Sequence, residues 1–168
     1  LIIELDVHGD NRGWFKENWQ REKLGEAAPE LASFQPVQNN ISYNRTGATR
    51  GLHAEPWDKL VSVANGKIFG AWCDLREGSE SFGEIVTHEV GPETAVFVPR
   101  GVANGFQALE ETSYSYLVNE HWSPDAHYIG INLDAVEWPL EPREVSEKDK
   151  HLPPLTDVVP MPPRKILV

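Results

Sequence analysis

Apolar and polar residues alternate in short runs along most of this chain, and turns rich in Gly, Pro and Glu separate the runs. Alternation at every second position is the period of a half-buried β-strand. It predicts strands at residues 1–6, 14–17, 60–64, 67–75, 85–90, 94–98, 105–109, 114–119 and 129–133. Residues 19–28 predict a short helix that ends before Pro29.

The dipeptide Asn65-Gly66 stands between two predicted strands and is typical of a type I′ hairpin turn. We therefore expect residues 60–64 to pair with residues 67–75, which would place Lys59 opposite Trp72. Many short strands with few helices predict an all-β protein. An antiparallel jelly-roll barrel with a few short helices fits best, and its interior can enclose a ligand.

Prolines concentrate at the end of the chain, since seven of the thirteen follow Val136. This composition predicts irregular structure with short helical turns. We expect the jelly roll to span residues 1–152 and the remaining residues, 153–168, to form a proline-rich tail.

Charge and cysteine content exclude several classes of protein. The 168 residues carry a formal net charge of −11, which repels nucleic acid and anionic membranes, so neither is an expected partner. No apolar run approaches the length of a membrane span. Cys73 is the single cysteine and permits no internal disulfide, which favours a reducing, cytoplasmic location.

The stretch Arg50-Gly51-Leu52-His53, followed by Lys59, is the most informative one for chemistry. A guanidinium, an imidazole and an ammonium close together can bind a phosphate, take a proton and stabilise an oxyanion. The alternative interpretation is a solvated loop with scattered charges.

Strand alternation places Lys59 on one face with Val61 and Val63. A lysine on an apolar face is costly unless it is paired or functional, although at a strand end its ammonium can also reach water. Tyr114 and Tyr116 share a face of a later strand, where packing is the commoner use of tyrosine.

The remaining histidines show no metal-ligand spacing, so no metal is expected. They are His8, His88, His121, His127 and His151. Near the C-terminus, Ser146-Glu147-Lys148-Asp149 predicts the start of a helix with Ser146 as its N-cap.

The order and spacing of several motifs identify a family. The chain resembles the dTDP-4-dehydrorhamnose 3,5-epimerases, cupin-type jelly rolls that act on 4-keto-6-deoxy sugar nucleotides. The matching motifs are Asp10-x-Arg12-Gly13-x-Phe15-x-Glu17, Gln38-x-Asn40-x-Ser42, Arg50-Gly51-Leu52-His53, Lys59-Leu60-Val61, Asp74-Leu75-Arg76-x-Gly78-Ser79, Phe82-Gly83, Pro99-x-Gly101, Gly105-Phe106, Tyr116, Trp122-x-Pro124, Trp138-Pro139 and Ser146-x-Lys148-Asp149.

The resemblance implies four catalytic roles. His53 would be the general base, and Asp149 would orient it and balance its charge. Tyr116 would be the acid on the opposite face of the sugar, and Lys59 would stabilise the enolate oxygen at C4. A dTDP-4-keto-6-deoxy sugar would be the substrate.

The resemblance also implies substrate-binding roles. Arg50 would bind the diphosphate, Gln38 and Asn40 would contact the sugar nucleotide, and Trp122 would stack on the thymine. Because the family is dimeric with exchanged N-terminal strands, the N-terminal motif would reach the nucleotide of the other subunit in a homodimer. The substrate-binding positions are then Arg12, Phe15, Glu17, Gln38, Asn40, Arg50, Asn104, Trp122 and Lys148.

One position departs from the family pattern. The family usually has Ala-His-Gly-Phe where this chain has Ala103-Asn104-Gly105-Phe106. Asn104 can donate a hydrogen bond but cannot titrate, so the acid/base work would fall to His53 and Tyr116. The departure leaves open whether both carbons are inverted at full rate.

These residue types are suited to epimerisation next to a keto group, and the reaction needs no cofactor. A 4-keto group acidifies the protons on C3 and C5, so a base can remove them and the charge settles on O4. His, with an unperturbed pKa of about 6.5, suits the base, and Tyr, with a pKa of about 10, stays protonated to donate. A nearby cation stabilises the enolate.

Three alternatives remain at this point. The first is a single-site 3- or 5-epimerase, or a ketoisomerase, acting on a related 4-keto sugar nucleotide. The second is a non-catalytic cupin that binds a sugar nucleotide. The third is a metal-dependent cupin, which would need three or four His or Glu ligands that the motifs do not supply.

The last residues, Arg164-Lys165-Ile166-Leu167-Val168, combine a basic pair with an apolar run. A Rossmann domain often begins this way. We therefore expect a reductase domain fused after residue 168, with residues 153–168 as the linker. The alternative is a stray edge strand or a frayed tail.

Overall fold

Two antiparallel sheets form the body of the fold in the computed structural model, which describes residues 1–164. The strands are β1 (Ile2–Glu4), β2 (Val7–Asp10), β3 (Gly13–Lys16), β4 (Gln38–Asn44), β5 (Thr49–Ala54), β6 (Lys59–Asn65), β7 (Ile68–Asp74), β8 (Ile85–Val90), β9 (Thr94–Val98), β10 (Val102–Ala108), β11 (Thr112–Val118) and β12 (Ile129–Gly130). The helices are α1 (Arg21–Ala27), α2 (Pro29–Ala32) and α3 (Glu147–Lys150), and the 3-10 turns are Leu133–Ala135 and Leu155–Asp157.

From β4 onward, strands that follow one another in the chain alternate between the sheets, except that β7 and β8 pair with each other in the same sheet. The first sheet has the order β1-β9-β6-β11-β4 and the second β12-β5-β10-β7-β8, while β2 and β3 form a separate hairpin. Every pairing between these strands is antiparallel. The prediction of an all-β antiparallel jelly roll with a few short helices is confirmed.

The predicted hairpin at Asn65-Gly66 is wrong. Strand β6 belongs to the first sheet and β7 to the second, and Lys59 pairs with Val98 and Val118 rather than with Trp72. The dipeptide specifies a tight reversal, with Gly66 at a φ of 82°, but it does not specify which strands pair. Both strands have an apolar face to bury, and placing them in opposite sheets turns both faces toward one interior.

The predicted helix at residues 19–28 forms as α1, and a second short helix, α2, follows it from Pro29. The side chain of Gln20 caps α1 by accepting a hydrogen bond from the backbone N–H of Lys23 at 2.7 Å. Pro29, which cannot continue a helix, instead occupies the first turn of α2.

Three apolar clusters follow from strand alternation. The barrel interior contains Val61, Val63, Ile68, Trp72, Val90, Val96, Val98, Phe106 and Tyr114. The N-terminal helices cover the outer face of the first sheet through Ala28, Leu31, Phe34, Leu60, Ala95 and Phe97. The C-terminal segment covers the second sheet through Leu52, Ala54, Ala71, Cys73, Leu75, Ala103, Ile131, Val136 and Met161.

The proline-rich tail packs on the second sheet beside an anchored loop. The carboxylate of Asp74 accepts hydrogen bonds from Arg76, Ser79 and Ser81. The sequence motif that begins at Asp74 therefore has a structural role, which is to hold this loop. Met161 is buried and forms a backbone bridge with Arg76. The tail is therefore tied to the jelly roll as far as residue 161.

The expected Rossmann strand at residues 166–168 lies outside the described residues. Within residues 1–164, none of the helices is long and apolar enough to cross a membrane.

Candidate active site

A bulge in β5 brings Arg50 and His53 to the same face of the second sheet. They lie opposite Phe106 and Asn104 of β10, so three residue steps on β5 match two on β10. Gly51 permits the bulge: its φ is 115°, and a Cβ there would lie 2.5 Å from the Cα of the β10 glycine at position 105. The alternation of an unbroken strand would have placed these two side chains on opposite faces.

His53 forms a hydrogen-bonded pair with Asp149. The distance from its Nε2 to the Asp149 Oδ1 is 2.6 Å, and the other carboxylate oxygen accepts from the backbone N–H of Gly51 at 3.3 Å. Ser146 caps α3 by accepting from the Asp149 N–H, as the sequence predicts. The cap fixes the first turn of α3, so the carboxylate is held in place behind the imidazole.

The environment of Asp149 keeps its carboxylate charged. Burial by itself raises the pKa of Asp149, but hydrogen bonds and charge from His53, with Gly51 and Ser146, lower the pKa below its ordinary value. With Nε2 donating to this carboxylate, the Nδ1 lone pair of His53 is left to accept a proton.

Lys59 lies inside the barrel with its side chain only 6% exposed. Its Nζ is 2.5 Å from the Glu55 carboxylate and 5.1 Å from the centre of the Tyr116 ring. Lys59 shares the interior face with Val61 and Val63, as predicted, and it is a buried ion-pair partner rather than a lysine that reaches water.

Tyr114 and Tyr116 lie next to each other on the interior face of β11, with ring centres 5.8 Å apart. Tyr114 stacks on Phe106 and accepts a hydrogen bond from the amide of Asn104 at 3.2 Å. Burial raises the pKa of both phenols, and the charge of Glu55 raises them further. Both tyrosines are therefore protonated donors near neutral pH.

Two adjoining cavities meet at these groups, with volumes of about 340 Å³ and 650 Å³. The side chains common to both are His53, Glu55, Tyr116 and Lys148. Residues lining only the smaller cavity include Asn40, Arg50, Lys59, Asn104, Tyr114 and Asp149. Residues lining only the larger one include Trp122, Tyr128, Leu152, Asp157, Val158 and Val159.

The predicted contacts for the nucleotide end lie around these cavities. Gln38 donates to Asn40 at 2.9 Å and accepts from the backbone N–H of Trp122 at 3.1 Å, so β4 and the Trp122 loop are joined. The Trp122 ring is exposed. The ammonium of Lys148 lies 5.4 Å from the centre of the Tyr128 ring.

The N-terminal motif does not join this group in the single chain. Arg12 pairs with Asp10, Glu17 pairs with Lys23, and the Phe15 side chain is exposed. None of the three predicted residues of this motif lines either cavity.

The sequence did not predict three features of the site: the presence of Glu55, the presence of Tyr128, and the hydrogen bond between Tyr114 and Asn104. For Glu55 a signal was present, because it follows His53 by two residues and so shares its face at the end of β5. Tyr128 lies in an irregular segment, where periodicity carries no information. Among residues 1–164, no group of three or more His, Cys, Asp and Glu side chains is arranged to hold a metal ion.

This arrangement defines a class of enzyme. An imidazole backed by a buried carboxylate can take a proton from carbon, a buried ammonium can stabilise the resulting oxyanion, and a protonated phenol can return a proton. A jelly roll that encloses such a set is suited to an isomerase acting on a carbon acid.

Comparison with known sequences defines the family. The profile described as dTDP-4-dehydrorhamnose 3,5-epimerase matches residues 1–157. A Streptococcus pyogenes serotype M6 protein named RmlC homolog is 48% identical over 177 residues, covering 99% of this chain and 89% of the relative. The dTDP-4-dehydrorhamnose 3,5-epimerase of Methanothermobacter thermautotrophicus is 35% identical, covering 94% and 90% respectively. The chain belongs to the dTDP-4-dehydrorhamnose 3,5-epimerase family.

Solved structures agree with this assignment. RmlC from Streptococcus suis, in complex with dTDP-D-xylose, has a TM-score of 0.86 at 45% identity, covering 96% of this chain and 88% of that one. RmlC from Legionella pneumophila, in complex with dTDP-4-keto-L-rhamnose, has a TM-score of 0.83 at 33% identity, covering 93% and 87%. The predicted cupin-type fold and the predicted isomerase class are confirmed.

Proposed function

We propose that this protein inverts C3 and C5 of dTDP-4-dehydro-6-deoxy-glucose to form dTDP-4-dehydro-L-rhamnose, a step of dTDP-L-rhamnose biosynthesis. The observation that carries the proposal is the His53–Asp149 pair, which faces the cavities together with Lys59 and Tyr116. Proton NMR of the product after incubation with this keto sugar nucleotide tests it. Two inverted centres are expected, and inversion at one centre would favour a single-site epimerase.

In the proposed mechanism His53 removes the protons. With Nε2 bound to Asp149, Nδ1 accepts a proton from a carbon next to the keto group, and the electron pair of the C–H bond moves to O4 as an enolate. In the chair of a glucose-configured ring, the axial hydrogens on C3 and C5 point to the same face. One base can therefore serve both carbons in turn, without a titrating group at Asn104.

Lys59 and Tyr116 complete each inversion. The Lys59 ammonium stabilises the enolate at O4, in a cavity where the low dielectric strengthens the interaction. Tyr116 lies on the opposite sheet from His53, on β11, so it can protonate the carbon from the other face. Each carbon loses one proton to His53 and gains one from Tyr116, which leaves the oxidation state and charge of the substrate unchanged and needs no redox cofactor. His53 then releases its proton to solvent and Tyr116 takes one up, so that both groups are ready for the second carbon.

The nucleotide end is proposed to extend along β4. Arg50, whose Nε donates to Asn44, would bind the diphosphate. Gln38 would bind near the thymine, beside Trp122. Lys148, which lines both cavities, would add a second cation for the phosphates. These two cations supply a local basic site within a chain of net charge −11.

The location and assembly of the protein belong to the same proposal. The single cysteine, Cys73, is buried and unpaired, which supports a cytoplasmic location. A homodimer would explain why Arg12 and Phe15 are exposed and distant from the cavities: in a dimer with exchanged N-terminal strands they would reach the partner's nucleotide.

Replacing Asp149 with Asn should lower kcat by about 100-fold or more while the protein stays folded. The amide is isosteric but uncharged, so it no longer stabilises the imidazolium that forms when His53 takes a proton. The matched control is Glu147→Gln, an exposed carboxylate on the same helix. Steady-state rates and circular dichroism measure the effect, and a kcat within threefold of the wild type would exclude the orienting role.

Mixed dimers test whether Arg12 acts on the partner's site. His53→Asn and Arg12→Ala subunits, unfolded together and refolded at equal amounts, should recover roughly a quarter of the wild-type activity, because half the dimers would contain one intact site. Mixing His53→Asn with Tyr116→Phe is the control, and it should recover nothing since both residues come from one chain. Sedimentation should show a dimer. Equal recovery in both mixtures, or an active monomer, would contradict the exchange.

A further inference from the structure

Glu55 is a partly buried carboxylate at the centre of the site that the proposed mechanism does not use. It follows β5 directly, two residues after His53, and its side chain is 17% exposed. Its backbone carbonyl accepts a hydrogen bond from the Gly101 N–H at 3.2 Å, which ties this position to the second half of the barrel. Glu55 lines both cavities.

Packing and hydrogen bonds anchor the segment from Glu55 to Lys59. Trp57 is buried, and the Asp58 backbone N–H donates to Asn119 at 2.9 Å. The Asp58 carboxylate accepts from Asn119 and from the backbone of Arg100. The Glu55–Lys59 ion pair therefore joins two fixed chain positions.

Glu55 lies among several other charged and titratable groups that line the two cavities. Three carboxylates line the smaller cavity, those of Glu55, Glu144 and Asp149, and Asp149 is already committed to His53. Glu55 is the carboxylate that pairs with the Lys59 ammonium, and its charge acts on the phenol of Tyr116. The charged and titratable groups that line these cavities with it are Arg50, His53, Lys59, Tyr114, Tyr116, Tyr128, Glu144, Lys148, Asp149 and Asp157.

We propose that Glu55 is a positioning residue of this site: it holds the Lys59 ammonium where the enolate oxygen forms and keeps the proton on Tyr116 until the carbon takes it.

Two physical effects support this role. An ammonium buried as deeply as Lys59 needs a counter-charge, because leaving it unpaired costs free energy. Burial raises the pKa of Tyr116, the negative charge of Glu55 raises it further, and Arg50 opposes both. A glutamine at this position would keep the shape but supply neither effect.

The direct test is the titration of Tyr116, which is independent of the enzymatic reaction. The protein labelled with 13Cζ-tyrosine gives four signals, since the chain has four tyrosines, and Tyr116→Phe assigns the relevant one. In Glu55→Gln its titration midpoint should move to lower pH. Glu55→Asp, which keeps the charge, should leave it close to the wild type, and so should Glu89→Gln, which removes an exposed carboxylate paired with Lys67.

The kinetic test rests on the proposed function. In Glu55→Gln, kcat should fall about tenfold or more with KM within about threefold, because the loss is in stabilising the enolate rather than in binding the nucleotide. The protonated phenol is the active form, so activity falls as pH rises through its pKa. The basic limb of the pH–kcat profile should therefore move to lower pH in Glu55→Gln.

The outcomes separate this inference from the proposed function. An unchanged Tyr116 midpoint and an unchanged kcat in Glu55→Gln overturn the role of Glu55 while the wild-type enzyme still epimerises. A wild-type protein without epimerase activity overturns the function and leaves the titration result standing. Should Glu55→Gln fail to fold, Glu55→Asp carries the test: its shorter side chain should lower kcat with the Tyr116 midpoint retained, and a wild-type kcat would contradict the proposal.

Discussion

His53→Asn should abolish deuterium incorporation at both C3 and C5 when the enzyme is incubated with substrate in D2O. Asn keeps a polar side chain of similar reach but cannot take a proton at neutral pH. Because the proposed mechanism assigns both proton removals to this one imidazole, the two exchange rates should fall together, by about 1,000-fold or more. NMR of the recovered sugar nucleotide measures both positions in one sample.

His88→Asn is the matched control, since that histidine lies on the exposed face of β8. It should exchange at the wild-type rate. If His53→Asn lost exchange at one carbon only, a second base would be required for the other. Near-normal exchange at both would remove His53 from the role of base.

Tyr116→Phe should separate proton removal from inversion. The His53–Asp149 pair and the Lys59 ammonium remain, so the enolate still forms and solvent deuterium still enters from the His53 face. The donor on the opposite face is gone, so the yield of inverted product should fall by about 100-fold or more. The expected signature is deuterated starting sugar with little epimer.

Tyr43→Phe is the control for removing a phenol, because Tyr43 is exposed on β4 away from the cavities. It should give the wild-type ratio of epimer to exchange. An unchanged epimer yield in Tyr116→Phe would assign the opposite-face acid to another group. Tyr114, which is buried beside it and protonated, would then be the first candidate.

The local chemistry of the site could be read from sequence where strand alternation holds. Lys59 on the interior face with Val61 and Val63 is such a case, and so is the Ser146 cap that positions Asp149. Period two and N-cap preferences are properties of a few adjacent residues, so no knowledge of the whole fold is needed.

Long-range placement could not be read in the same way. The Asn65-Gly66 turn predicts a reversal, but the choice between pairing and crossing to the other sheet depends on where every other strand lies. The meeting of Asn104 with the Tyr114 phenol depends on the same global arrangement. The bulge at Gly51 also breaks the alternation that would have separated Arg50 from His53.

The N-terminal motif shows a further limit. The family resemblance assigns Arg12, Phe15 and Glu17 to the substrate, whereas within the single chain they lie on an exposed hairpin and its flank. A role for them depends on a second copy of the chain, which strand periodicity in one chain does not describe.

Incubation of the wild-type protein with dTDP-4-dehydro-6-deoxy-glucose in D2O, followed by proton NMR, tests the account most directly. The proposed mechanism predicts that deuterium replaces hydrogen at C3 and C5, that both centres are inverted, and that His53→Asn shows neither change. A wild-type protein that binds the nucleotide but leaves both C–H bonds intact would contradict the epimerase mechanism.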